Sequence, residues 1–274
     1  MALTRLDCDI YRGRKAASDA SAYVALNPLS RPAQMVFAGA TAVIQGVGSQ
    51  VAYKLALDYF VKGILGSYDG DTDKQSAGGS GQAELDDESV SRALEDAFRL
   101  ANSSIYGFGH KLAAGGRMAA SLLGIAVEGA KFAAARVGQG SVYLFRANQL
   151  FPLFGAEGVD RAVVGDVPEF CPELASQRGG FLGSHSIVDV EVASVTLQPG
   201  DTVTAFSRPL TTLNETLLFQ HLEVVSSEGF PEMQPHYQAE QLCIDVFTEP
   251  DSLSFACMVC LGPEVIFCSK ALRS

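Results

Sequence analysis

The stretch GGRMAASLLGIAVEGAKFAAARVGQGSVYLFRANQLFPLF, residues 115–154, limits the possible folds of this chain more than any other. Its apolar runs ASLLGIAV, KFAAARVG and SVYLFR are divided only by EG and GQG. Short apolar runs punctuated by glycine read as strands joined by turns, so the centre of the molecule is expected to be a meander of paired strands.

On the N-terminal side, SAYVAL and AQMVFAGATAV flank NPLSRP, whose prolines and Asn suit a turn, and residues 22–43 read as a hairpin. In SQVAYKLALDYFVKGIL, residues 49–65, Val51, Leu55, Leu57, Phe60, Val61 and Ile64 fall near helical spacing, with Ser49 as the expected N-cap. A second amphipathic helix is expected in ESVSRALEDAFRLANSSIYGFGHKL, where Val90, Leu94, Phe98, Ala101 and Ile105 share a face. Between these helices, residues 66–87 combine Gly, Ser and acidic side chains with almost nothing to bury, and a flexible loop is expected there. Its carboxylates lack the Asp-x-Asp-x-Asp-Gly spacing of a calcium loop.

Beyond the meander, residues 155–185 read as a long surface excursion. Val188, Val190, Val192 and Val195 then restore strand alternation. A third helix is expected through LNETLLFQHLEVV with Asn214 as N-cap, and AEQLCIDVFT is compatible with a fourth. The strand-like SLSFACMVCL and VIFC close the chain. Strands and helices alternate in blocks, not in βαβ units, which points to antiparallel sheets covered by helices, an α+β fold. A four-layer α/β/β/α sandwich of two mainly antiparallel sheets is compatible with this order, and so are other α+β folds. With 274 residues and 47% apolar side chains, one domain spanning residues 1–274 is the simplest organisation.

Charge narrows the function classes. A net charge of −11, a pI near 4.8 and scattered Lys and Arg argue against nucleic acid as a partner. No run approaches the roughly eighteen apolar residues of a membrane span, and MALTRLDCDIYRGRK is charged where a signal peptide would be apolar, so a cytoplasmic protein is expected. Six cysteines are sparse for this length and read as reduced thiols. Cys257 and Cys260 form a CxxC, yet they lie within the apolar SFACMVCLG with no second pair at zinc spacing, which favours a core reading. His110, His185, His221 and His236 are scattered, GxSxG and HExxH are absent, and the glycine-rich GGSGQ lacks a P-loop lysine.

Several strings resemble the metal-dependent Ser/Thr protein phosphatases, the PPM or type 2C family, from about Asp9 to Cys260. VAYKLALDYF and LEDAFRLANSSIY resemble the family's two helices after its first metal motif. GGRMAASLLGIAV looks like its Gly-x-Gly-Thr-Thr strand, KFAAARVGQGSVYLFRANQL like its Val-Gly-Asp-Ser-Arg hairpin, and LQPGDTVTAFSRPL like its Gly-Asp…Ser-Asp-Gly-Leu strand. The resemblance implies the four-layer sandwich and, in active members, aspartates at strand ends that hold two Mn²⁺ or Mg²⁺ ions. Such ions lower the pKa of a bridging water that attacks phosphorus in line.

The departures fall on those aspartates. RKAASD keeps Arg14 and Asp19 of the N-terminal Arg-x-x-Asn-Glu-Asp motif but places Ser18 at its Glu. TAVIQG aligns with Asp-Gly-Met-Gly-Gly-His, which puts Thr41 at the bridging aspartate and Ala42 at the glycine whose carbonyl also contributes. Gln139 stands at the aspartate of Val-Gly-Asp-Ser, and Arg208 and Pro209 stand at the aspartate and glycine of Ser-Asp-Gly-Leu. The late Asp-Asn motif keeps its acid as Asp251. A Mn²⁺ or Mg²⁺ pair is therefore expected to be absent.

The resemblance with these losses implies a pseudophosphatase, acting as a protein-binding scaffold, regulator or decoy in phospho-signalling. The expected partner is another protein, such as a phosphoprotein or kinase-pathway component, and a homodimer through a helix layer is compatible with the pattern. Two alternatives stay open: a divergent metal-dependent phosphatase of atypical activity, and a phospho-ligand sensor using Arg14, the position of the family's phosphate-binding arginine. Arg208 is expected to pair with Asp19 or Asp251 in place of the lost ionic charge.

Overall fold

The apolar runs of the central stretch become β4 (Ala120–Glu128), β5 (Lys131–Val137) and β6 (Ser141–Arg146), but they do not form one meander. β4 and β5 pair antiparallel through a turn at Gly129, whereas β5 and β6 belong to different sheets. The GQG link crosses between the layers instead of closing a hairpin, aided by positive φ at Gly138 (84°) and Gly140 (135°). Strands buried on both faces carry no alternation that tells one sheet from the other, so spacing alone suggested pairing where the chain changes layer.

The computed structural model describes residues 5–15, 19–27, 34–43, 46–75, 87–112, 118–155, 160–164, 180–227 and 238–262. The remaining strands are β1 (Arg5–Tyr11), β2 (Ala20–Asn27), β3 (Gln34–Ala42), β7 (Gln149–Pro152), β8 (Asp160–Val164), β9 (Val188–Thr196), β10 (Thr202–Phe206) and β11 (Ala256–Gly262). One sheet has the order β1-β11-β10-β6-β7, the other β2-β3-β4-β5-β9-β8, and neighbours in both run antiparallel. Helices α1 (Val47–Gln75) and α2 (Asp87–Lys111) cover the six-stranded sheet. Helices α3 (Thr212–Ser227) and α4 (Gln238–Val246) lie on the five-stranded sheet. Among the described residues, no helix is long and apolar enough to cross a membrane.

Three apolar layers hold these four together, each with an edge-to-face aromatic pair. Phe60 of α1 and Phe98 of α2 meet at 5.4 Å over the six-stranded sheet. Phe37 and Phe255 meet at 5.6 Å between the sheets. Phe206 and Phe247 meet at 5.4 Å beneath α3 and α4. Such pairs each add about 0.5–1.5 kcal/mol beyond the area they bury.

Four local expectations are corrected. Residues 66–75, expected as loop, continue α1: once the buried face has nucleated the helix, propagation into polar residues needs no new nucleus. Residues 76–86 lie outside the described residues. Ser49 sits inside α1, not at its cap, and its buried Oγ has no partner among the described residues. Thr211 caps α3, since its Oγ1 accepts the Asn214 N–H at 3.2 Å while Asn214 Oδ1 accepts the Thr211 N–H at 3.3 Å. Asn214 Nδ2 also donates to the Val246 carbonyl at 2.6 Å, tying α3 to the end of α4. Within the expected excursion 155–185, β8 forms an edge strand on β9, and Leu182 is buried and bridges Ala120; residues 165–179 lie outside the described residues.

Candidate functional site at the strand ends

Two crossings bring the ends of both sheets together. The chain leaves β1 at Tyr11 in one sheet and enters β2 at Ala20 in the other, and it leaves β5 at Val137 and enters β6 at Ser141. The registers Ala20↔Thr41, Thr41↔Ser121, Tyr11↔Ala256 and Phe206↔Ser141 then align the other strand ends at the same side. Arg14, Asp19, Thr41, Ala42, Gln139, Arg208 and Asp251 all fall on this end of the sandwich. Ser18 lies outside the described residues.

Backbone hydrogen bonds fix this end tightly. Gly13 N–H donates to Leu253 O at 3.0 Å and Lys15 N–H to Asp251 O at 3.0 Å, stitching the first crossing to the short 3-10 turn Pro250–Ser252 before β11. A Cβ at Gly13 would stand 2.1 Å from Leu253 O, a backbone atom that cannot move aside, so glycine is required by close approach. Ala42 N–H donates to Asp19 O at 2.8 Å. The second crossing is held by Arg136, whose Nη1 donates to Gly140 O at 2.5 Å, and by buried Ser121, whose Oγ accepts the Gln139 N–H at 3.2 Å. Ser141 Oγ donates to Arg208 O at 2.9 Å, and Ser207 Oγ accepts the Ser254 N–H at 3.1 Å.

The side chains form a sparse set of charges. Tyr11 donates its hydroxyl to Asp251 Oδ1 at 3.2 Å; burial, that bond and the adjacent negative charge push its ionisation up to about 12. Asp19, Gln139 and Arg14 are exposed. The Arg208 guanidinium stacks over Phe247 at 5.0 Å. The expected pairing of Arg208 with Asp19 or Asp251 is not among the ion pairs of the described residues: an aromatic face on the α3–α4 side takes the cation instead. Lys15 and Glu249 approach to 3.7 Å, but both are largely exposed and the pair contributes little.

Solved structures share the fold across nearly the whole chain. The Mycobacterium tuberculosis Ser/Thr phosphatase PstP aligns over 96% of this chain and 99% of its own, at 16% identity and a TM-score of 0.56. The PstP catalytic domain in complex with two manganese ions aligns over 96% and 100%, at 17% identity and 0.58. PppA of Pseudomonas aeruginosa aligns over 94% and 97%, at 14% identity and 0.57. The fold is that of the PPM phosphatases. No protein-family model and no curated protein sequence matches the chain.

The residues that the sequence resemblance aligns with the PPM metal position do not fit a pair of divalent ions. Two doubly charged ions about 4 Å apart repel by roughly 4 kcal/mol even in bulk water, and by about four times that in the effective dielectric of a protein surface. Here Thr41, Ala42 and Gln139 are uncharged, Arg208 is a cation, and of the two acids Asp251 already accepts from Tyr11. Among the described residues, no three His, Cys, Asp or Glu side chains are grouped to hold an ion.

Other constellations stay apart from this end. Cys257 faces the layer between the sheets and Cys260 the layer under α3 and α4, so the CxxC cannot present both sulfurs to one ion. His221 pairs with Asp245 at 2.8 Å, His110 stacks on Tyr106, and His185 contacts Ser184; His236 lies outside the described residues. A cavity of about 230 Å³ lined by Val90, Lys131, Phe132 and Ser194–Thr196 opens at the opposite end of the six-stranded sheet. Tyr11, Ser121, Ser141, Ser207 and Phe247 were not singled out by sequence. Each is an ordinary strand-end or helix-end residue there, and its role exists only once the layers meet.

Proposed function

We propose that this chain is a phosphatase-fold protein that does not hydrolyse phosphoesters by a two-metal route and instead acts by binding another protein in phospho-signalling, as scaffold, regulator or decoy. The observation that carries the reading is the charge of the strand-end site: an exposed Asp19, an Asp251 shared with Tyr11, and a cation at position 208. Hydroxide generation needs a metal to lower the pKa of water, and nothing in that donor set would hold two. The backbone clamps around Gly13, Ser121 and Ser141 nevertheless keep the end of the sandwich rigid, which suits a surface whose task is shape. PppA, which shares the fold, is a key regulatory component of T6SS in its organism, consistent with regulation being carried on this fold.

The test is hydrolysis of p-nitrophenyl phosphate in the presence of Mn²⁺. The reading expects no metal-dependent turnover. Turnover that disappears in Asp251→Ala would establish a divergent phosphatase in its place.

A second reading is favoured by one observation: Arg14 is exposed at the rim, one residue from the Lys15 N–H that bonds Asp251. An arginine so placed could receive a phosphate without cleaving it. Phosphopeptide binding that Arg14→Ala leaves unchanged would remove this reading.

A further inference from the structure

A sheet edge presents a row of backbone N–H and C=O groups that will pair with another extended chain, and folded proteins blunt such edges with charge, proline, short length or cover. The two sheets have edge strands β1, β7, β2 and β8. β1 carries Arg5, Asp7 and Asp9, β7 is four residues long and ends on Pro152, and β8 opens on Asp160 and Arg161. β2 is longer and plainer: its eight residues, ASAYVALN, include no charge and no proline, and the Arg12 guanidinium covers the outward carbonyl of its first residue, Ala20. Its register with β3 is continuous from Ala20↔Thr41 to Asn27↔Gln34, and among the described residues no strand pairs with its other side.

Two hydrogen bonds reveal which groups point outward. The Asp19 carbonyl accepts the Ala42 N–H at 2.8 Å, so odd-numbered residues turn their backbone groups toward β3. The Ala20 carbonyl faces the other way, where Arg12 Nη2 reaches it at 3.2 Å. Ala22 and Val24 share the parity of Ala20 and direct their N–H and C=O groups off the sheet.

We infer that β2 is a homodimerisation edge, pairing antiparallel with β2 of a second copy about a two-fold axis at Tyr23 and joining the two six-stranded sheets into one. In this register Ala22 exchanges both backbone hydrogen bonds with the partner's Val24, and Val24 does so with the partner's Ala22. Tyr23 meets the partner's Tyr23 at a non-hydrogen-bonded position, where side chains approach most closely and aromatic pairs are favourable. Asp19 falls opposite the partner's Asn27, so no like charges face each other although each chain carries −11. A neutral strand without proline is the occupant that suits this edge, and β2 itself is one.

The helix layer leaves room. Ala22 and Val24 pack toward the layer between the sheets, so Tyr23 projects to the α1 side. α1 lies chiefly over β3, with its flanks on β2 and β4. The two β3 strands would be three strand spacings apart, roughly 14 Å. That exceeds the 8–10 Å or so of packed helices, so the two α1 helices clear one another with space for the tyrosine pair.

The test is sedimentation velocity of the full chain at tens of micromolar. Wild type should sediment at twice 29.0 kDa. Val24→Pro removes an outward N–H that β3 does not use, so it should sediment as one chain with an unchanged far-ultraviolet spectrum. Tyr23→Cys should form a disulfide-linked dimer on mild oxidation, which keeps the test sharp if Val24→Pro folds poorly. A wild type that stays at 29.0 kDa, a dimer that survives Val24→Pro, or a dimer in which Tyr23→Cys fails to cross-link would overturn the inference.

Discussion

The Tyr11 hydroxyl donates to Asp251 Oδ1 at 3.2 Å, joining the last residue of β1 to the turn that leads into β11. This contact places a neutral phenol against the acid that the sequence resemblance aligns with the late Asp-Asn motif of the PPM family. Burial first, then the hydrogen bond and the charge of Asp251, push the Tyr11 ionisation from 10.0 up to about 12. On unfolding the ring returns to its ordinary value. Between these two pH values the unfolded chain therefore loses a proton that the folded chain keeps, and stability falls as pH rises through that window; below it the contribution is fully present. Denaturant midpoints followed across the window should fall more steeply for wild type than for Tyr11→Phe, and the phenolate absorbance lost in that variant should titrate near the upper value.

Asp9 acts at a distance as a cap. Its Oδ2 accepts the Ala239 N–H in the first turn of α4 at 2.9 Å, and its Oδ1 accepts the Ile10 N–H at 2.9 Å. Asp9→Ala should leave a buried donor unmet and lower stability by about 1–3 kcal/mol in urea unfolding. A loss within the few tenths of a surface change would show that water replaces the carboxylate there.

Arg146 grips Asp201 with two nitrogens, Nε at 3.0 Å and Nη2 at 2.5 Å, and the same carboxylate accepts the Gln198 N–H at 2.7 Å in the turn before β10. The Asp201 side chain is only 3% exposed, so Arg146→Ala strands a buried charge and should cost about 3–5 kcal/mol. Replacing both partners together should cost less than the sum of the single changes, a coupling that a double-mutant cycle measures.

The β6–β7 turn stores a small strain. Ala147 and Asn148 both adopt positive φ, 49° and 60°, as a two-residue primed turn requires, but alanine is a poor occupant of the first position. Ala147→Gly should raise stability by about 0.5–1 kcal/mol, read from the denaturation midpoint.

Thiol reactivity should separate the described cysteines. Cys8 is half-buried, whereas burial pushes the Cys243 and Cys257 thiols well above their ordinary range. Iodoacetamide should label Cys8 in the native protein and reach Cys243 and Cys257 only after unfolding, as peptide mass mapping would show. Native labelling of Cys257 would mean that β1 peels from β11 at ordinary temperature.

The layered fold was legible where side-chain period and burial coincide: Val188, Val190 and Val192 alternate because β9 is buried on one face, and Val90 to Ile105 line the buried stripe of α2. Legibility failed where burial is two-sided, as at the Gly138–Gly140 crossing, and where a strand is short, as at β8. At the strand ends, the strings beside Thr41, Gln139 and Arg208 single out these positions, but they carry nothing about their contacts. Tyr11 and Asp251 are 240 residues apart, and Arg208 meets Phe247 only after α4 packs on the sheet. Helical period and turn chemistry carry no information about such meetings.

The proposed lack of a two-metal centre at the strand ends can be read directly by a calorimetric titration of the full chain with Mn²⁺. No saturable heat is expected up to millimolar metal, with the same flat trace for Asp19→Ala and Asp251→Ala. Saturable binding of two ions in wild type, abolished by Asp251→Ala, would contradict it.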